Sequence, residues 1–329
     1  MGAPRWLEER LEKASGPGGL SELLSSLEGQ RFSELAEACW RTRLAGFGRE
    51  LQAFRPGERF PPISITGRRC ELMCKYCLGR YLRGMLPAES PTKLLELCSS
   101  LARRGAEGVL ISGGFDRHGV LPVRPFLSTI RAVKERFGLR IAIHPGLVDR
   151  GLAEELCSAG VDIALFDLVG DEDTIRNVIG LDKHPEDYMA SLKALKEAGI
   201  PVIAPHICIG MKGGRLSGEL EALKMARAVR PDVLVLIIFV PTRGTPFWGR
   251  EPPKPGDVGK LMAVARLIFP GTPVALGCMR PRGPYKAEVD ALAVRLGLDR
   301  IALPSRRALE EAEALGLHTI WRGVCCAVP

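Results

Sequence analysis

From residue 62 onward the chain repeats one pattern, a short apolar run followed by a longer amphipathic stretch. The apolar runs fall at 62–66, 108–112, 140–144, 162–168, 202–209, 233–240, 274–277 and 300–303. Between and after them, segments 91–104, 124–137, 152–159, 185–198, 216–229, 255–268, 286–296 and 305–315 carry apolar residues at helical spacing. Strands buried on both faces read as continuous apolar runs, and their alternation with helices implies a parallel sheet. Eight such units close most simply into a complete (β/α)8 TIM-type barrel. An open doubly wound sheet is the alternative.

The first 58 residues read differently. Trp6, Leu7 and Leu11, then Leu20, Leu23, Leu24 and Leu27, then Phe32, Leu35, Ala36 and Cys39 have helical spacing, and Arg55-Pro56-Gly57 ends the pattern. The expected organisation is a helical extension over 1–58, a barrel over 59–304, and a last helix with a cysteine-containing tail over 305–329. The longest apolar run, 233–240, is far short of the roughly 18 residues of a membrane span. Arg5, Glu8, Glu9 and Arg10 at the start do not make a secretory signal, so a cytoplasmic protein with no membrane partner is expected. The formal net charge is +8 without any dense Lys/Arg block. That favours a solvated basic surface, suited at most to steering acidic protein partners, and nucleic acid is not an expected partner.

Barrel active sites lie at the C-terminal ends of the strands. Those ends carry Cys70, Cys74 and Cys77, then Gly113-Gly114-Phe115-Asp116, His144, Asp167, His206, Cys208, Cys278 and Arg280. Ten cysteines in a chain with no secretory signal point to metal or redox chemistry before disulfides. Three thiolates at the spacing of Cys70, Cys74 and Cys77 can ligate three corners of an iron–sulfur cube, leaving the fourth iron open to a small chelating molecule. An electron carrier needs a fourth cysteine, and a zinc site needs four closed ligands. Neither finds one nearby, because the next cysteine, Cys98, falls within a predicted helix.

Cys70-Glu-Leu-Met-Cys74-Lys-Tyr76-Cys77 after the first strand resembles the signature of the radical S-adenosylmethionine (SAM) superfamily. The resemblance implies a four-iron four-sulfur cluster whose open iron binds the methionine end of SAM. A reductant such as ferredoxin would supply the electron that cleaves SAM to a 5′-deoxyadenosyl radical. It further implies that Tyr76 packs on the adenine, that Gly113 and Gly114 approach the SAM ammonium, and that Asp167 binds the ribose. For Asp167, a helix cap is the competing role. His206 and His144 are candidate SAM or substrate contacts, or hydrogen-bonded structural histidines.

The eight-unit length and the segments Leu147-Val148-Asp149, Phe166–Asp171, Gly277–Gly283 and Cys325-Cys326 resemble the biotin-synthase-related branch. Within it they are most similar to archaeal-type proteins that act as halves of a two-protein lipoyl synthase. That resemblance implies sulfur insertion into an octanoyl chain on a lipoyl-carrier protein, together with a second radical SAM protein. It also implies a second iron–sulfur cluster as sulfur source, with Cys278, Cys325 and Cys326 as candidate ligands and Cys208 and Arg280 as further possibilities. The tail is expected to run back along the barrel, with His318-Thr319-Ile320-Trp321 as a strand-like segment, and to cover its mouth. Cys39, Cys98 and Cys157 read as core residues. The rival readings are a carbon-skeleton rearrangement of the methylornithine synthase kind, which needs no second cluster, and a non-catalytic metal-binding protein.

Overall fold

The computed structural model describes residues 3–329. Three helices come first, α1 (Arg5–Lys13), α2 (Gly16–Ser26) and α3 (Gln30–Phe47). Each buries the apolar stripe that predicts it, with Leu7, Leu11, Leu20, Leu23, Leu24, Leu35 and Cys39 all enclosed.

Among the described residues, eleven strands then form one all-parallel sheet. They are β1 (Glu50–Phe54), β2 (Pro62–Ser64), β3 (Leu86–Pro87), β4 (Gly108–Ser112), β5 (Arg140–Ile143), β6 (Ile163–Asp167), β7 (Val202–Ile209), β8 (Leu234–Ile238), β9 (Val274–Leu276), β10 (Arg300–Ala302) and β11 (His318–Arg322). The helices of the repeating units are α4 (Pro91–Arg103), α5 (Leu127–Phe137), α6 (Arg150–Ser158), a single turn α7 (Glu172–Thr174), α8 (Pro185–Glu197), α9 (Glu219–Val229), α10 (Pro255–Ile268), α11 (Pro284–Arg295) and α12 (Arg306–Ala314). Local signals set their starts. Ser90 accepts from Lys93 N ahead of Pro91 on α4, Asp149 accepts from Leu152 N on α6, and Ser305 accepts from Ala308 N on α12. The N-terminal extension packs outside this ring, α2 against α9 and α3 against α10, with Glu8 paired to Arg227 at 2.8 Å.

All eight expected strands are present, and β2 and β4 to β10 are neighbours in the expected order. The expected closure is not. In a complete barrel β10 would pair with β2, but the hydrogen-bonded order is β11-β1-β10-β9-β8-β7-β6-β5-β4-β2-β3, a curled and open sheet. The reason is that both edges are already taken. β1 lays Gln52 beside Arg300 and Phe54 beside Ala302, while β3 pairs along Ile63 and Ser64 of β2. β1 escapes the apolar-run pattern because Glu50-Leu-Gln-Ala-Phe54 alternates polar and apolar residues just before the Pro-Gly break.

The curl is filled from within. Its inward positions are mostly small or β-branched, among them Ala142, Ala204, Val235, Ala275 and Ala302. The tail after β11 turns into this space, so that Val324, Cys326, Ala327 and Val328 join the same buried cluster. Arg300 fixes it there, donating to the carbonyls of Cys326 (3.0 Å) and Val328 (2.8 Å) with its guanidinium over the Phe54 ring. The tail is thus part of the barrel interior and not an outer cover over the mouth, because small inward side chains leave room that an apolar segment must fill. No helix among the described residues is long and apolar enough to cross a membrane.

Candidate active site

The loop after β2 carries Cys70, Cys74 and Cys77, and its shape is built from the backbone outward. Met73 and Leu78 both adopt left-handed conformations (φ 45° and 46°), flanking the turn in which Cys74 O accepts from Cys77 N and Leu78 N. Such backbone in non-glycine residues costs energy and persists only where surroundings hold it. Here they do. Glu71 N donates to Phe115 O at 2.9 Å and Lys75 N to Val178 O at 2.9 Å, tying the loop to those after β4 and β6. Thr66 at the strand end is the strut, since its hydroxyl donates to Arg69 O (2.9 Å) and accepts from Gly114 N (2.6 Å).

Gly113 and Gly114 owe their identity to this packing. A Cβ on Gly114 would stand 1.9 Å from Arg69 O and 2.5 Å from Cys70 Cα, and one on Gly113 would stand 2.9 Å from Thr66 Oγ1. The glycine pair therefore lies flush against the cysteine loop.

Cys74 is buried, while Cys70 and Cys77 are half-buried. The Cys74 thiol donates to Cys77, which lowers the Cys77 pKa, while that bond and then burial raise Cys74. Among the described residues, no three His, Cys, Asp or Glu side chains converge as one metal ion requires. Three thiols held on one short loop fit a polynuclear cluster, whose irons each take a separate thiolate.

Beside this loop opens a small pocket of about 50 Å³, lined by Cys74, Tyr76, Phe115, His144, Asp167 and Tyr188 among others. The Tyr76 hydroxyl is pushed well up by burial and then by its neighbours Cys74, Cys77, Asp167 and Cys208, so the ring points inward. Burial raises the Asp167 carboxyl, against the pull of His206. The competing role for Asp167 falls away, because Asp171 is the residue that caps the following turn. The His206 Nδ1 lies 2.9 Å from Ala204 O, and its ring meets His144 edge-on with centroids 5.3 Å apart. Burial lowers both histidines to about 4, so both are neutral at pH 7. Phe115, Tyr188 and Met211 complete the lining. Tyr188 and Met211 carry no motif and are marked only by their place after β6 and β7, whereas Phe115 follows the glycine pair at the end of β4.

A second thiol group forms elsewhere in the curl. Cys278, just past β9, exposes its surface although protein encloses it, and burial followed by the nearby Cys325 raises its thiol. Cys326 is buried against both Cys325 and Cys278. Cys325 is lowered chiefly by the hydrogen bond from Cys326, with help from backbone donors and Arg300. The fold thus makes Cys278 a neighbour of Cys325 and Cys326, without converging the three on one point. It does not bring Arg280 to them. That guanidinium is buried against Asp290, with a 3.1 Å bond from Nη2 to Oδ2, and donates to Ala302 O at 2.8 Å, so it ties β9 to β10 and α11. Cys39 and Cys98 are fully buried core thiols on α3 and α4, each with its pKa raised to about 12.

The family model of the radical SAM superfamily matches residues 64–226, from the end of β2 into α9. The chain belongs to the radical SAM superfamily. As a radical SAM protein it is 28% identical over 245 residues to the biotin synthase of Alkalilimnicola ehrlichii, covering 73% of this chain and 72% of that one. It is 26% identical over 335 residues to a biotin synthase of Thermus thermophilus, covering 95% and 96%. Among solved structures it resembles methylornithine synthase, with a TM-score of 0.64 at 19% identity over 95% of this chain and 97% of the other. The FeFe-hydrogenase maturase HydG of Carboxydothermus hydrogenoformans gives 0.65 at 16% identity, over 94% and 77%. At such identities the two structures speak for the shared radical SAM fold alone.

Proposed function

We propose that this radical SAM enzyme inserts sulfur into an octanoyl chain carried on a lipoyl-carrier protein, working with a second radical SAM protein. Cys70, Cys74 and Cys77 would hold the four-iron four-sulfur cluster. With SAM and an electron from a ferredoxin-like donor, that cluster supplies the one-electron cleavage that makes a 5′-deoxyadenosyl radical. The chain's own residues shape where this happens. Tyr76 would stack on the adenine, Asp167 would accept from the ribose hydroxyls, and Gly113 and Gly114 would leave room for the methionine end. Neutral His144 lines the wall, with neutral His206 behind it, so neither adds charge, and the enclosed apolar lining excludes water from a reactive intermediate.

The observation that carries sulfur insertion is the meeting of Cys278, Cys325 and Cys326. Cys278 on one segment neighbours Cys325 and Cys326 on another, distant in sequence, and the tail that carries those two is fixed by Arg300. A second iron–sulfur cluster on these thiols would be the sulfur source. The biotin synthase relatives support the same branch of chemistry, and a rearrangement of the methylornithine synthase kind would need no such thiols.

The test is iron and sulfide content after anaerobic reconstitution, with mass spectrometry of the octanoylated carrier. Wild type should hold about eight irons per chain, and Cys325→Ala/Cys326→Ala about four, with SAM cleavage kept and product sulfur lost. About four irons in wild type would remove the second cluster and favour rearrangement.

A further inference from the structure

The basic residues, scattered in sequence, gather in space. The loops after β2, β8 and β9 (residues 66–85, 239–254 and 277–283) hold ten Lys and Arg, one of them the buried Arg280 paired to Asp290, against two acidic residues, Glu71 and Glu251. That excess of eight equals the formal net charge of the whole chain, so the remainder of the molecule is balanced. The other half of the same rim is not basic. The loops after β4 to β7 (113–123, 144–149, 168–184 and 210–218) hold five Lys and Arg against six Asp and Glu.

The basic half is one continuous surface. Tyr81 of the β2 loop bonds Thr242 of the β8 loop at 2.8 Å, and Arg80 donates to Gly244 O at 3.2 Å. Ile238 N donates to Met279 O at 2.9 Å, joining the β9 loop to it. Arg68, Arg69, Lys75, Arg83, Arg243 and Arg282 are exposed there, and among the described residues none of them is in an ion pair.

Exposed apolar side chains share the surface. Among the described residues, five large hydrophobic side chains are most open to solvent, of which Met73 (51%), Trp248 (59%) and Leu303 (42%) follow β2, β8 and β10, and Leu86 (36%) lies on the adjoining β3. Only Trp321 lies elsewhere. Eight of the ten basic residues are arginine. Arg, Met and Trp are enriched at protein interfaces and Lys depleted, whereas single-stranded nucleic acid is gripped by successive aromatic platforms, of which this surface has one.

We infer that the rim formed by the β2, β8 and β9 loops is the docking surface for an acidic protein that presents its substrate on a tether into the mouth beside it. The identity of the tethered group rests on the octanoyl reading above; the surface itself does not. Complementary charge would act mainly on the rate of encounter, and Met73 and Trp248 on the lifetime of the complex.

The probe is an octanoylated lipoyl-carrier domain, titrated against reconstituted enzyme. Binding should weaken at least tenfold between about 0.05 and 0.3 M salt, since screening shortens from about 14 Å toward 6 Å. The double variant Arg83→Glu/Arg243→Glu should weaken it at least tenfold and Trp248→Ala severalfold, with 5′-deoxyadenosine formation from SAM and reductant unchanged. Equal, salt-insensitive binding by the charge-reversed enzyme would overturn the inference. So would a short duplex RNA that outcompetes the carrier and loses its affinity through the same substitutions. A charge-reversed enzyme that still transfers sulfur normally would refute the docking surface and leave the reaction intact. A carrier that docks on this rim but never gains sulfur would refute the reaction and leave the surface standing.

Discussion

Replacing Gly114 by alanine should empty the first cluster site while the protein stays folded. Gly114 does not sit in the left-handed region, so the objection to a side chain is space alone. The added Cβ would stand 1.9 Å from Arg69 O, 2.5 Å from Cys70 Cα and 2.6 Å from Cys70 Cβ, two of them backbone atoms. Restoring an ordinary 3.4 Å contact requires the loop to withdraw by about 1.5 Å. That withdrawal breaks the bond from Gly114 N to Thr66 Oγ1 and strains that from Glu71 N to Phe115 O. Two such bonds are worth about 1 kcal/mol each, and overpacking costs about 1–3 kcal/mol, so some 3 kcal/mol is expected after the loop yields. In a chain of this size that lowers Tm by about 4 °C. Cys70, displaced with the loop, would no longer meet the other two thiols on one cube. Iron and sulfide are measured after reconstitution, beside a thermal melt and 5′-deoxyadenosine production. Gly84→Ala is the control, since it lies on the same loop with nothing within 4 Å. If Gly114→Ala holds iron and cleaves SAM like that control, the steric argument is wrong.

Tyr76→Phe should keep SAM affinity and Tyr76→Ala should weaken it by about 1–3 kcal/mol, measured by equilibrium binding on reconstituted enzyme. His144 is held near 4 by burial, below its ordinary 6.5, so its neutral form stabilises the fold above pH 6.5 and that stability is lost as pH falls toward 4. About 2 kcal/mol of the loss between pH 7 and pH 5 should vanish in His144→Gln, read from urea midpoints at the two pH values. Arg280→Ala takes from the buried Asp290 carboxylate one of its two cations, leaving Lys286 and Ser305 N on Oδ2, and should cost about 3 kcal/mol in the same assay, while Arg282→Ala, exposed nearby, should cost under about 0.5.

How much of this was legible in the sequence follows from the physics of each element. The eight strands were, because burial on both faces writes itself as an unbroken apolar run, and β6 through β8 match closely. The cysteine loop was, because cluster ligation needs thiols at fixed short spacing. β1 and β3 were not seen in the apolar pattern, since β3 is two residues long and β1 alternates, whereas the strand-like run from His318 to Trp321 is β11. Barrel closure failed with them, since whether β10 meets β2 depends on which short strands reach those edges first. Thr66 and the left-handed Met73 and Leu78 leave no sequence trace, as their roles come from contacts with residues far along the chain. The concentration of charge on half the rim was hidden for the same reason: the loops after β2 and β8 are far apart in sequence and adjacent only once the sheet curls.

The tail shows how one misplacement changes an experiment. A tail lying over the mouth could be cut away without disturbing what lies beneath it. A tail that packs Val324, Cys326, Ala327 and Val328 against Phe54, Ala275 and Ala302 cannot. Its removal would leave the alanine-lined interior hollow and Arg300, now held by two tail carbonyls, buried without acceptors. Loss of iron on truncation would then report a damaged core as readily as missing ligands. The sequence carried a hint of this, because alanine recurs at the inward position of β5, β7, β9 and β10. A barrel built from such strands has a void unless something apolar enters it, and Val-Cys-Cys-Ala-Val is the only apolar segment left at the end of the chain. Filling the interior and delivering two thiols are one act of folding. Cys325→Ala and Cys326→Ala, which remove the sulfur atoms and leave the rest of the tail in place, are therefore the perturbations that separate them.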